Sequence, residues 1–318
     1  MNNTHDVRSI ILDCDPGHDD TVAIMLALGS EAIDLRGITT IAGNQTVEKT
    51  TRNALSVLKM CNREDVPVHM GADRPLVRDI EIAPSIHGES GLELDGFELP
   101  APSREPDAGH AVQYIIDEVM ASKPSSLTLV GTGAATNIAL ACRLEPRIIP
   151  RVREVVLMHG GVHIGNWAPV AEFNTLIDPE AADIVFEAEW PLTMVGLNLT
   201  HQALVTEEFV QRVASSETEL SKFFVSLISY FRRTYKREQD FDNPPIHDPC
   251  TIAYLIDPSI VRTRKAPIHI ELQGTHTTGM SVADIRPQAP KDCRTQFATT
   301  LDHSGFSNLV VDAIRALE

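Results

Sequence analysis

Residues 8–28 read RSIILDCDPGHDDTVAIMLAL, and this stretch decides the fold. Residues 8–12 form a short apolar run that leads into a polar cluster rich in aspartate. Apolar side chains then recur at helical spacing through residues 18–28. The pattern predicts a buried β-strand, a polar loop and an α-helix, in that order.

The same strand and helix unit recurs along the chain. Further strands are predicted at 35–42, 127–130, 152–158 and 192–195, and further helices at 47–60 and 136–142. Strands that alternate with helices indicate a mostly parallel sheet with helices on both faces. We therefore predict an α/β fold in which residues 1–318 form a single domain around a Rossmann-like central sheet.

The last third of the chain predicts additions to this core. Residues 268–272 and 295–301 have strand character, and we expect them to form a small peripheral sheet. Residues 208–238 and 306–317 have helical periodicity and predict long C-terminal helices. Residues 81–106 are rich in Gly, Pro, Glu and Ser, and they predict an extended loop of the kind that is often functional in compact domains.

The composition limits the function. The 318 residues carry a formal net charge of −17, which argues against nucleic acids and anionic membranes as partners, because phosphate groups are bound by clustered Lys and Arg. Residues 1–9 do not resemble a secretory signal, and no run approaches the roughly 20 apolar residues that span a bilayer. The five cysteines are odd in number and far apart. We therefore expect a reduced, cytoplasmic protein that binds a small molecule or a metal ion.

Four carboxylates lie within eight residues of the first loop, at Asp13, Asp15, Asp19 and Asp20. Side chains of like charge repel one another unless a positive group offsets them, and a hard divalent cation would do so. Calcium, which takes six to eight oxygen ligands at roughly 2.3–2.6 Å, fits such a set. The alternative is that Asp19 and Asp20 only occupy the first turn of a helix, where negative charge is favourable by about 0.3–1 kcal/mol. This alternative accounts for two of the four residues.

Two later stretches add polar side chains of the same kind. Residues 171–178 include Glu172, Asn174 and Asp178, and His247 precedes Asp248 ahead of a helical run. A histidine beside an aspartate is more often structural than functional. Together with the N-terminal carboxylates, however, this pair offers one more hard ligand and an imidazole suited to proton donation near neutral pH.

Residues 131–136, GTGAAT, follow a strand and open a helix, as a dinucleotide-binding fingerprint would. The third glycine position is Thr136, and the next strand ends at Met158 and His159 with no acidic residue to bind a ribose hydroxyl. We therefore favour a tight turn that exposes backbone carbonyls.

Five motifs together resemble the nucleoside hydrolase family, in its inosine-uridine preferring, nonspecific branch. They are DCDPGHDD at 13–20, TTIAGNQT at 39–46, HGESG at 87–91, AEFN at 171–174 with IDPEAA at 177–182, and HDPC at 247–250. Their order and their spread over nearly the whole chain give the resemblance its weight. It implies a calcium-dependent enzyme that cleaves the N-glycosidic bond of purine and pyrimidine ribonucleosides, such as inosine and uridine, in nucleoside salvage or catabolism.

The resemblance also implies roles for individual residues. Asp15, Asp20 and Asp248 match metal-binding carboxylates, and Thr132 matches a residue whose backbone carbonyl binds the calcium. Asp15 also matches the general base that accepts a proton from water. His247 matches the acid that protonates a departing purine.

Further residues match the substrate pocket of the family. Six side chains are expected at the ribose hydroxyls: Asp19 and Asn174 at the 2′-hydroxyl, Asn44 and Asp248 at the 3′-hydroxyl, and Asn166 and Glu172 at the 5′-hydroxyl. His87 and Phe173 match other pocket residues, and Tyr235 matches an aromatic that closes over the base. Relatives are usually dimers or tetramers, so the resemblance implies a homo-oligomer, for which we predict a homotetramer.

The sequence departs from the family pattern at three places. His159 stands where relatives usually carry glycine, and the loop after HGESG continues as LELDG and is longer than in close relatives. Pyrimidine-preferring relatives have two hydroxylated aromatics on the long helix, whereas Phe231 occupies the first of these positions here. This difference argues against a strict pyrimidine preference.

Two other functions are compatible with parts of the pattern. A haloacid-dehalogenase-like phosphatase also places two aspartates two residues apart after its first strand. Its pattern has Thr or Val where Gly17 stands here, and no basic phosphate clamp is evident. The other is a nucleoside-binding protein without turnover. Every position assigned to catalysis holds a competent side chain, which argues against this second function.

Overall fold

An eight-stranded central sheet and a two-stranded peripheral sheet organise the computed structural model, which describes residues 7–318. In chain order the strands are β1 Arg8–Cys14, β2 Ile33–Thr40, β3 Val68–Met70, β4 Leu127–Gly131, β5 Glu154–Leu157, β6 Leu192–Met194, β7 Val261–Lys265, β8 Ile268–Ile270, β9 Ser281–Ala283 and β10 Thr295–Leu301. The central sheet has the order β3-β2-β1-β4-β5-β6-β10-β7, and β8 pairs with β9. The expectation that residues 1–9 carry no secretory signal concerns a segment whose first six residues lie outside the described range.

Helices cover both faces of the central sheet. In chain order they are α1 His18–Gly29, α2 Val47–Met60, α3 Pro84–His87, α4 Ala111–Ala121, α5 Thr136–Leu144, α6 Phe173–Ile177, α7 Pro179–Glu187, α8 Leu197–Thr200, α9 Glu207–Ala214, α10 Glu219–Gln239, α11 Pro249–Ile256 and α12 His303–Ala316. Neighbouring strands are parallel throughout the central sheet except for β10 and β7. The predicted α/β fold with a mostly parallel sheet is therefore confirmed. Within residues 7–318, no helix combines the length and apolarity of a membrane span.

Strand β1 shows why the sheet is buried on both sides. Successive side chains of a strand point to opposite faces. Ile10 and Leu12 accordingly pack into one apolar core with α1, α2 and α9 to α12, whereas Ile11 packs into a second core with α4, α5 and α7. A strand between two cores must be apolar at nearly every position, which is why the run in residues 10–12 is continuous rather than alternating.

The order of the strands creates a crevice beside β1. This strand pairs with β2 on one side and with β4 on the other, so the direction of strand order reverses at β1. The loops that leave two such strands at their carboxyl ends diverge to opposite faces, and the gap between them is where α/β sheets bind ligands. The polar clusters after β1, β2, β4 and β5 all lie at this edge.

The prediction for residues 295–301 was correct about the strand and wrong about its sheet. Strand β10 has the predicted bounds, but it lies in the central sheet, parallel to β6 and antiparallel to β7. Only the first predicted peripheral strand, as β8, belongs to the small sheet, where it pairs with β9. The local sequence shows that β10 is half-buried and extended, but its paired residues lie 31 to 103 positions away in the chain, from Gln296 with Lys265 to Thr295 with Leu192.

The predicted single helix over residues 208–238 is in fact two helices. The first, α9, ends at Ala214, and α10 begins at Glu219 after a turn in which Glu217 has a φ of 56°. The Thr218 hydroxyl caps the new helix by accepting a hydrogen bond from the Ser221 N–H at 3.1 Å. A threonine with this role can begin a helix in the middle of a periodic segment. The predicted extended loop 81–106 also contains one helical turn, α3.

Candidate active site

Three carboxylates from distant parts of the chain converge at the carboxyl edge of the sheet. Asp19 and Asp20 lie in the first turn of α1, and Asp248 immediately precedes α11. One oxygen from each lies within 4.8 Å of the others, and all three side chains are buried. The convergence of Asp20 with Asp248 agrees with their predicted sharing of a metal ion, and Asp19 joins them.

Asp15 follows β1 and is completely buried. Its Oδ2 accepts a hydrogen bond from the Asn44 N–H at 2.7 Å, whereas its Oδ1 has no hydrogen-bond partner among residues 7–318. A buried carboxylate oxygen that is unpaired is costly, so it indicates a group that the protein alone does not supply. Gly43 and Gly133 press against this carboxylate, and a Cβ on either would lie 2.1 Å or 2.8 Å from its oxygens.

Asn44 joins Asp15 to the group of three. Its backbone donates to Asp15, and its side-chain Nδ2 donates to Asp20 Oδ2 at 3.0 Å. Asp20 also accepts hydrogen bonds from the Gly17 N–H at 3.1 Å and from the Thr132 hydroxyl at 2.8 Å. The four residues predicted to bind the metal ion, Asp15, Asp20, Thr132 and Asp248, therefore belong to one connected set of contacts with Asn44 and Asp19.

Asp13 is the exception among the four clustered carboxylates of the first loop. It lies within β1, and its Oδ1 accepts hydrogen bonds from the Thr39 hydroxyl at 2.6 Å and from Asn137 Nδ2 at 2.8 Å. These partners hold the strands and α5 together. The sequence grouped Asp13 with its neighbours, but in the structure its Oδ1 contacts β2 and α5 instead.

Burial dominates the electrostatics of the cluster. It raises the pKa of Asp19 to about 7, and it raises the pKa values of Asp15 and Asp248 well above the ordinary range, with neighbouring carboxylates adding to the effect. The pKa of Asp20 is also raised by burial. A cation among these oxygens would favour the ionised forms of the carboxyl groups. The site therefore fits a hard metal ion in three respects: its donors are all oxygens, the pKa values of its carboxyl groups are raised without a cation, and one oxygen of Asp15 is unpaired.

A pocket of about 480 Å³ opens beside the cluster. It is lined by Asp19, Asn44, Ala83, Ile86, His87, Thr132, Met158, Asn166, Trp167, Glu172, Phe173, Asn174, Tyr235, Gln239, His247 and Asp248. Every residue that the sequence assigned to the substrate lies on this wall. Asp15 and Asp20 are fully buried and do not line the pocket.

The prediction missed five lining residues, and two of them shape the mouth of the pocket. The Trp167 indole packs edge-on against Phe173 with ring centroids 4.8 Å apart and donates a hydrogen bond to Glu81. Gln239, at the end of α10, donates from Nε2 to the Asn166 carbonyl at 3.0 Å. Trp167 follows the predicted Asn166 directly and could have been found from that neighbour. Gln239 gives no local signal.

The polar part of the pocket wall formed by Glu172 and Asn174 is held rigidly. Glu172 caps α6, and its two oxygens accept hydrogen bonds from the N–H groups of Asn174 at 2.9 Å and Gly160 at 3.0 Å. Burial raises the pKa of Glu172 to about 7. Asn174 donates from Nδ2 to the carbonyls of Thr132 at 2.7 Å and Met158 at 3.0 Å. These bonds fix the orientation of both side chains without a ligand.

His247 and Tyr235 form a buried pair on the pocket wall. The Tyr235 hydroxyl lies 2.8 Å from His247 Nε2, and the Thr200 hydroxyl lies 2.8 Å from His247 Nδ1. Burial, with a smaller contribution from His201, lowers the pKa of His247 well below its ordinary value, and burial raises the pKa of Tyr235. Both groups are therefore uncharged near neutral pH in the protein without a ligand.

Phe231 does not reach the pocket. It is completely buried, and its ring stacks on that of His18 with centroids 5.0 Å apart. His18 in turn contacts His87, with their Nδ1 atoms 3.0 Å apart, and His87 does line the pocket. The aromatic that replaces a hydroxylated residue here therefore lies behind the pocket wall, where it packs directly against the lining residues His87 and Tyr235.

Comparison with known proteins identifies the family. The family model for inosine-uridine preferring nucleoside hydrolases matches residues 10–308. The chain belongs to this family. It is 50% identical over 310 residues to inosine-uridine preferring nucleoside hydrolases of Crithidia fasciculata and Leishmania major, with 98% of each chain covered. It is 43% identical to a pyrimidine-specific ribonucleoside hydrolase RihA of Shewanella woodyi, covering 96% of this chain and 98% of that one.

Solved structures agree with the sequence comparison. A purine-preferring ribonucleoside hydrolase from Gardnerella vaginalis superposes with a TM-score of 0.91 at 33% identity, covering 98% of this chain and 99% of that one. The enzyme is therefore a ribonucleoside hydrolase with a nucleoside as its substrate. The phosphatase, dinucleotide-binding and binding-only interpretations of the sequence are set aside by these matches.

The buried carboxylates predict a pH-dependent response to metal ions. A carboxyl group whose pKa rises on folding stabilises the folded protein while the group is protonated. For Asp19, this contribution to the free energy of unfolding is complete below about pH 4 and is lost as the pH rises through about 7. A bound cation stabilises the ionised forms, and protons compete with it less at higher pH. We therefore expect calcium chloride, compared with chelator, to raise the melting temperature more at about pH 8 than at about pH 5.5.

Two variants control this measurement. Asp248→Asn should lose most of the calcium-induced rise, whereas Asp183→Asn should keep it, because Asp183 also has a pKa raised by burial but lies outside the pocket. The buried histidines lose protons in both samples alike, so they do not affect the difference between calcium and chelator. A calcium-induced rise that is the same at both pH values would contradict the expected competition with protons.

Proposed function

We propose that the enzyme hydrolyses the N-glycosidic bond of both purine and pyrimidine ribonucleosides, inosine and uridine included, with calcium as its metal ion. The observation that carries the proposal is the convergence of Asp19, Asp20 and Asp248 beside a polar and aromatic pocket, with an unpaired oxygen on Asp15. Oxygen ligands of this kind suit calcium. Asp15, Asp20, Asp248 and the Thr132 carbonyl would hold the ion.

The metal ion, when bound, would lower the pKa of water and so supply a nucleophile at neutral pH. The protein must then accept the proton that this water loses. Asp15 is suited to that role because one oxygen of its buried carboxylate has no hydrogen-bond partner in the described chain. The rigid bond from the Asn44 N–H holds the other oxygen and therefore orients the carboxylate.

Cleavage of the bond between ribose and base builds positive charge on C1′ and the ring oxygen. The buried carboxylates of Asp19, Asp248 and Glu172 face the pocket and would stabilise that charge without having to reorganise. No lysine or arginine of the described chain lines the pocket, so no cationic side chain opposes the developing charge.

The lining residues support one orientation of the nucleoside. We place the 2′-hydroxyl at Asp19 and Asn174, the 3′-hydroxyl at Asn44 and Asp248, and the 5′-hydroxyl at Asn166 and Glu172. This arrangement sets the ribose on the polar floor beside the metal ligands. The base would then contact the aromatic and apolar residues of the mouth, which include Ile86, His87, Trp167, Phe173 and Tyr235.

Departure of a purine requires a proton, and we assign its donation to His247 with Tyr235. Their 2.8 Å contact lets the two groups act as a unit. Negative charge that accumulates on the leaving base would favour the protonated form of the imidazole, which is neutral at rest. Phe231, buried behind the pocket, supports broad rather than strictly pyrimidine substrate use.

We also propose a homo-oligomer, a dimer or tetramer, in the cytoplasm. The family resemblance supports the oligomer. All five cysteines have free thiols, which supports a reducing compartment. Light scattering of the purified protein would measure the number of subunits.

Turnover of a nucleoside panel tests the proposed activity. We expect free base and ribose from inosine and uridine, loss of turnover with chelator, and recovery on addition of calcium, because the carboxylates cannot all ionise without a cation. Base release can be measured by absorbance with nucleoside in excess. Hydrolysis that persists in chelator would contradict the metal requirement, and turnover confined to purines or to pyrimidines would contradict the proposed breadth.

Asp15→Asn should fold but lose turnover. The amide keeps the shape of the side chain but cannot accept the proton, so kcat for inosine should fall by about 10²- to 10⁴-fold. Asp183→Asn, which alters a carboxylate outside the pocket, should retain kcat. Steady-state kinetics with a melting curve for each variant would give both results. A kcat near that of the unaltered enzyme would remove Asp15 from the proton-accepting role.

His247→Ala should slow inosine hydrolysis by about 10²- to 10⁴-fold, the usual contribution of general acid catalysis. His201→Ala is the matched control, because the two rings lie 5.8 Å apart between centroids but His201 does not line the pocket. The control should keep most of the activity. Unchanged inosine turnover in His247→Ala would exclude the acid role for this histidine.

A further inference from the structure

His159 is a buried histidine that the proposed mechanism does not use. It follows β5, it is completely inaccessible to solvent, and it does not line the pocket. Its Nε2 lies 2.9 Å from the Gly133 carbonyl oxygen, and its Nδ1 lies 3.2 Å from the Thr175 hydroxyl. The ring therefore connects the turn after β4 with helix α6.

The direction of both hydrogen bonds follows from their partners. A carbonyl oxygen can only accept, so His159 Nε2 carries the proton and donates to Gly133. Burial lowers the pKa of His159 to about 4, which leaves the ring neutral and its Nδ1 able to accept from the Thr175 hydroxyl. That hydroxyl has one proton, and Glu172 Oε2 is a second acceptor for it at 3.2 Å, so Nδ1 and Oε2 share this donor.

The turn that His159 contacts is part of the proposed metal site. The Thr132 hydroxyl donates to Asp20, and Gly133 lies so close to Asp15 that a Cβ at Gly133 would be 2.8 Å from Asp15 Oδ1. The turn therefore touches both carboxylates from the same side. This close approach leaves no room for a Cβ at position 133, so the residue there must be glycine. Because glycine has no side chain, no side-chain contact of its own can hold it in place.

The backbone carbonyl of Gly133 is consequently a site where this turn can be held from outside. We propose that His159 is a positioning residue that fixes the turn 132–134 against Asp15 and Asp20, and that it thereby sets the affinity of the site for its metal ion. This inference rests on the proposed calcium site. It assigns no contact between His159 and the metal ion or the substrate.

The same ring extends the support to the pocket wall. The Thr175 hydroxyl lies 3.2 Å from Glu172 Oε2 as well as from His159 Nδ1, and the Thr175 N–H also donates to Glu172 Oε2 at 3.2 Å. Asn174, the residue before Thr175, donates to the Thr132 carbonyl. The turn and α6 are therefore joined at two neighbouring points, one through Asn174 and one through His159.

Calcium affinity measured by titration calorimetry on the full-length protein tests the proposal. Loss of a group that orients metal ligands typically weakens metal binding by 10- to 100-fold, so His159→Ala should raise the Kd for calcium by about that factor. His159→Gln places an amide donor near the position of Nε2 and should keep the Kd within about threefold of the unaltered protein. Rescue by glutamine separates hydrogen bonding from space filling.

Val156→Ala is the matched control for loss of stability. Val156 lies on β5, the strand that leads to His159, and it packs in the apolar core that contains Ile10 and Leu12. Its truncation should lower the melting temperature without changing the Kd for calcium. A second pair of variants covers the case in which His159→Ala does not fold: Thr175→Val should weaken calcium binding, and Thr175→Ser should restore it.

Three results would overturn the inference. They are an unchanged Kd in both His159→Ala and Thr175→Val, a Kd in His159→Gln as weak as in His159→Ala, and an equal loss of affinity in Val156→Ala. Failure of the proposed function is distinguishable, because it would appear as absence of calcium binding by the unaltered protein. That result would overturn both proposals, whereas normal binding by the unaltered protein with unaffected variants would overturn only the role of His159.

Discussion

The burial of four carboxylates at one place is the constraint on which the site depends. Asp15, Asp19, Asp20 and Asp248 are nearly inaccessible to solvent, and burial is the largest cause of the raised pKa in each. Ionised groups in such a place need a positive charge among them. The described chain offers N–H, amide and hydroxyl donors there, but no lysine or arginine on the pocket wall. The fold thus places four carboxylates around a site for a cation, and a bound metal ion would supply the positive charge that the protein does not.

The architecture divides the pocket into a fixed floor and an assembled mouth. The floor comes from loops that leave β1, β2, β4 and β5, whose strands are locked between two apolar cores. The mouth joins α3, the loop around Trp167 and the end of α10, held by contacts such as Gln239 to the Asn166 carbonyl. Relatives that match across nearly the whole chain carry inosine-uridine, pyrimidine and purine in their names.

Prediction of the fold from sequence succeeded where the deciding contacts are local. Helix α2 has the predicted bounds, because the apolar periodicity that predicts it lies within its own residues. The run over residues 208–238 was predicted as one helix, since periodicity continues across the break and only the Thr218 cap and the turn at Glu217 reveal it. Strand β10 had correct bounds and the wrong sheet, because pairing depends on β6 and β7 rather than on its own residues.

The same distinction holds for the site. The sequence by itself determined the buried strand and the acidic loop after it, because residue types and their local spacing encode which groups are buried and which are polar. The side chains that were expected in the pocket were assigned by the resemblance to the nucleoside hydrolase family rather than by local spacing. Only the tertiary structure decided three contacts of the site. Asp13 is hydrogen-bonded to Thr39 and Asn137. Asp248 lies beside Asp20, which is 228 positions earlier in the chain, and the His159 ring contacts the carbonyl of a glycine turn. Those outcomes depend on side-chain direction and on contacts between distant segments, which no local pattern records.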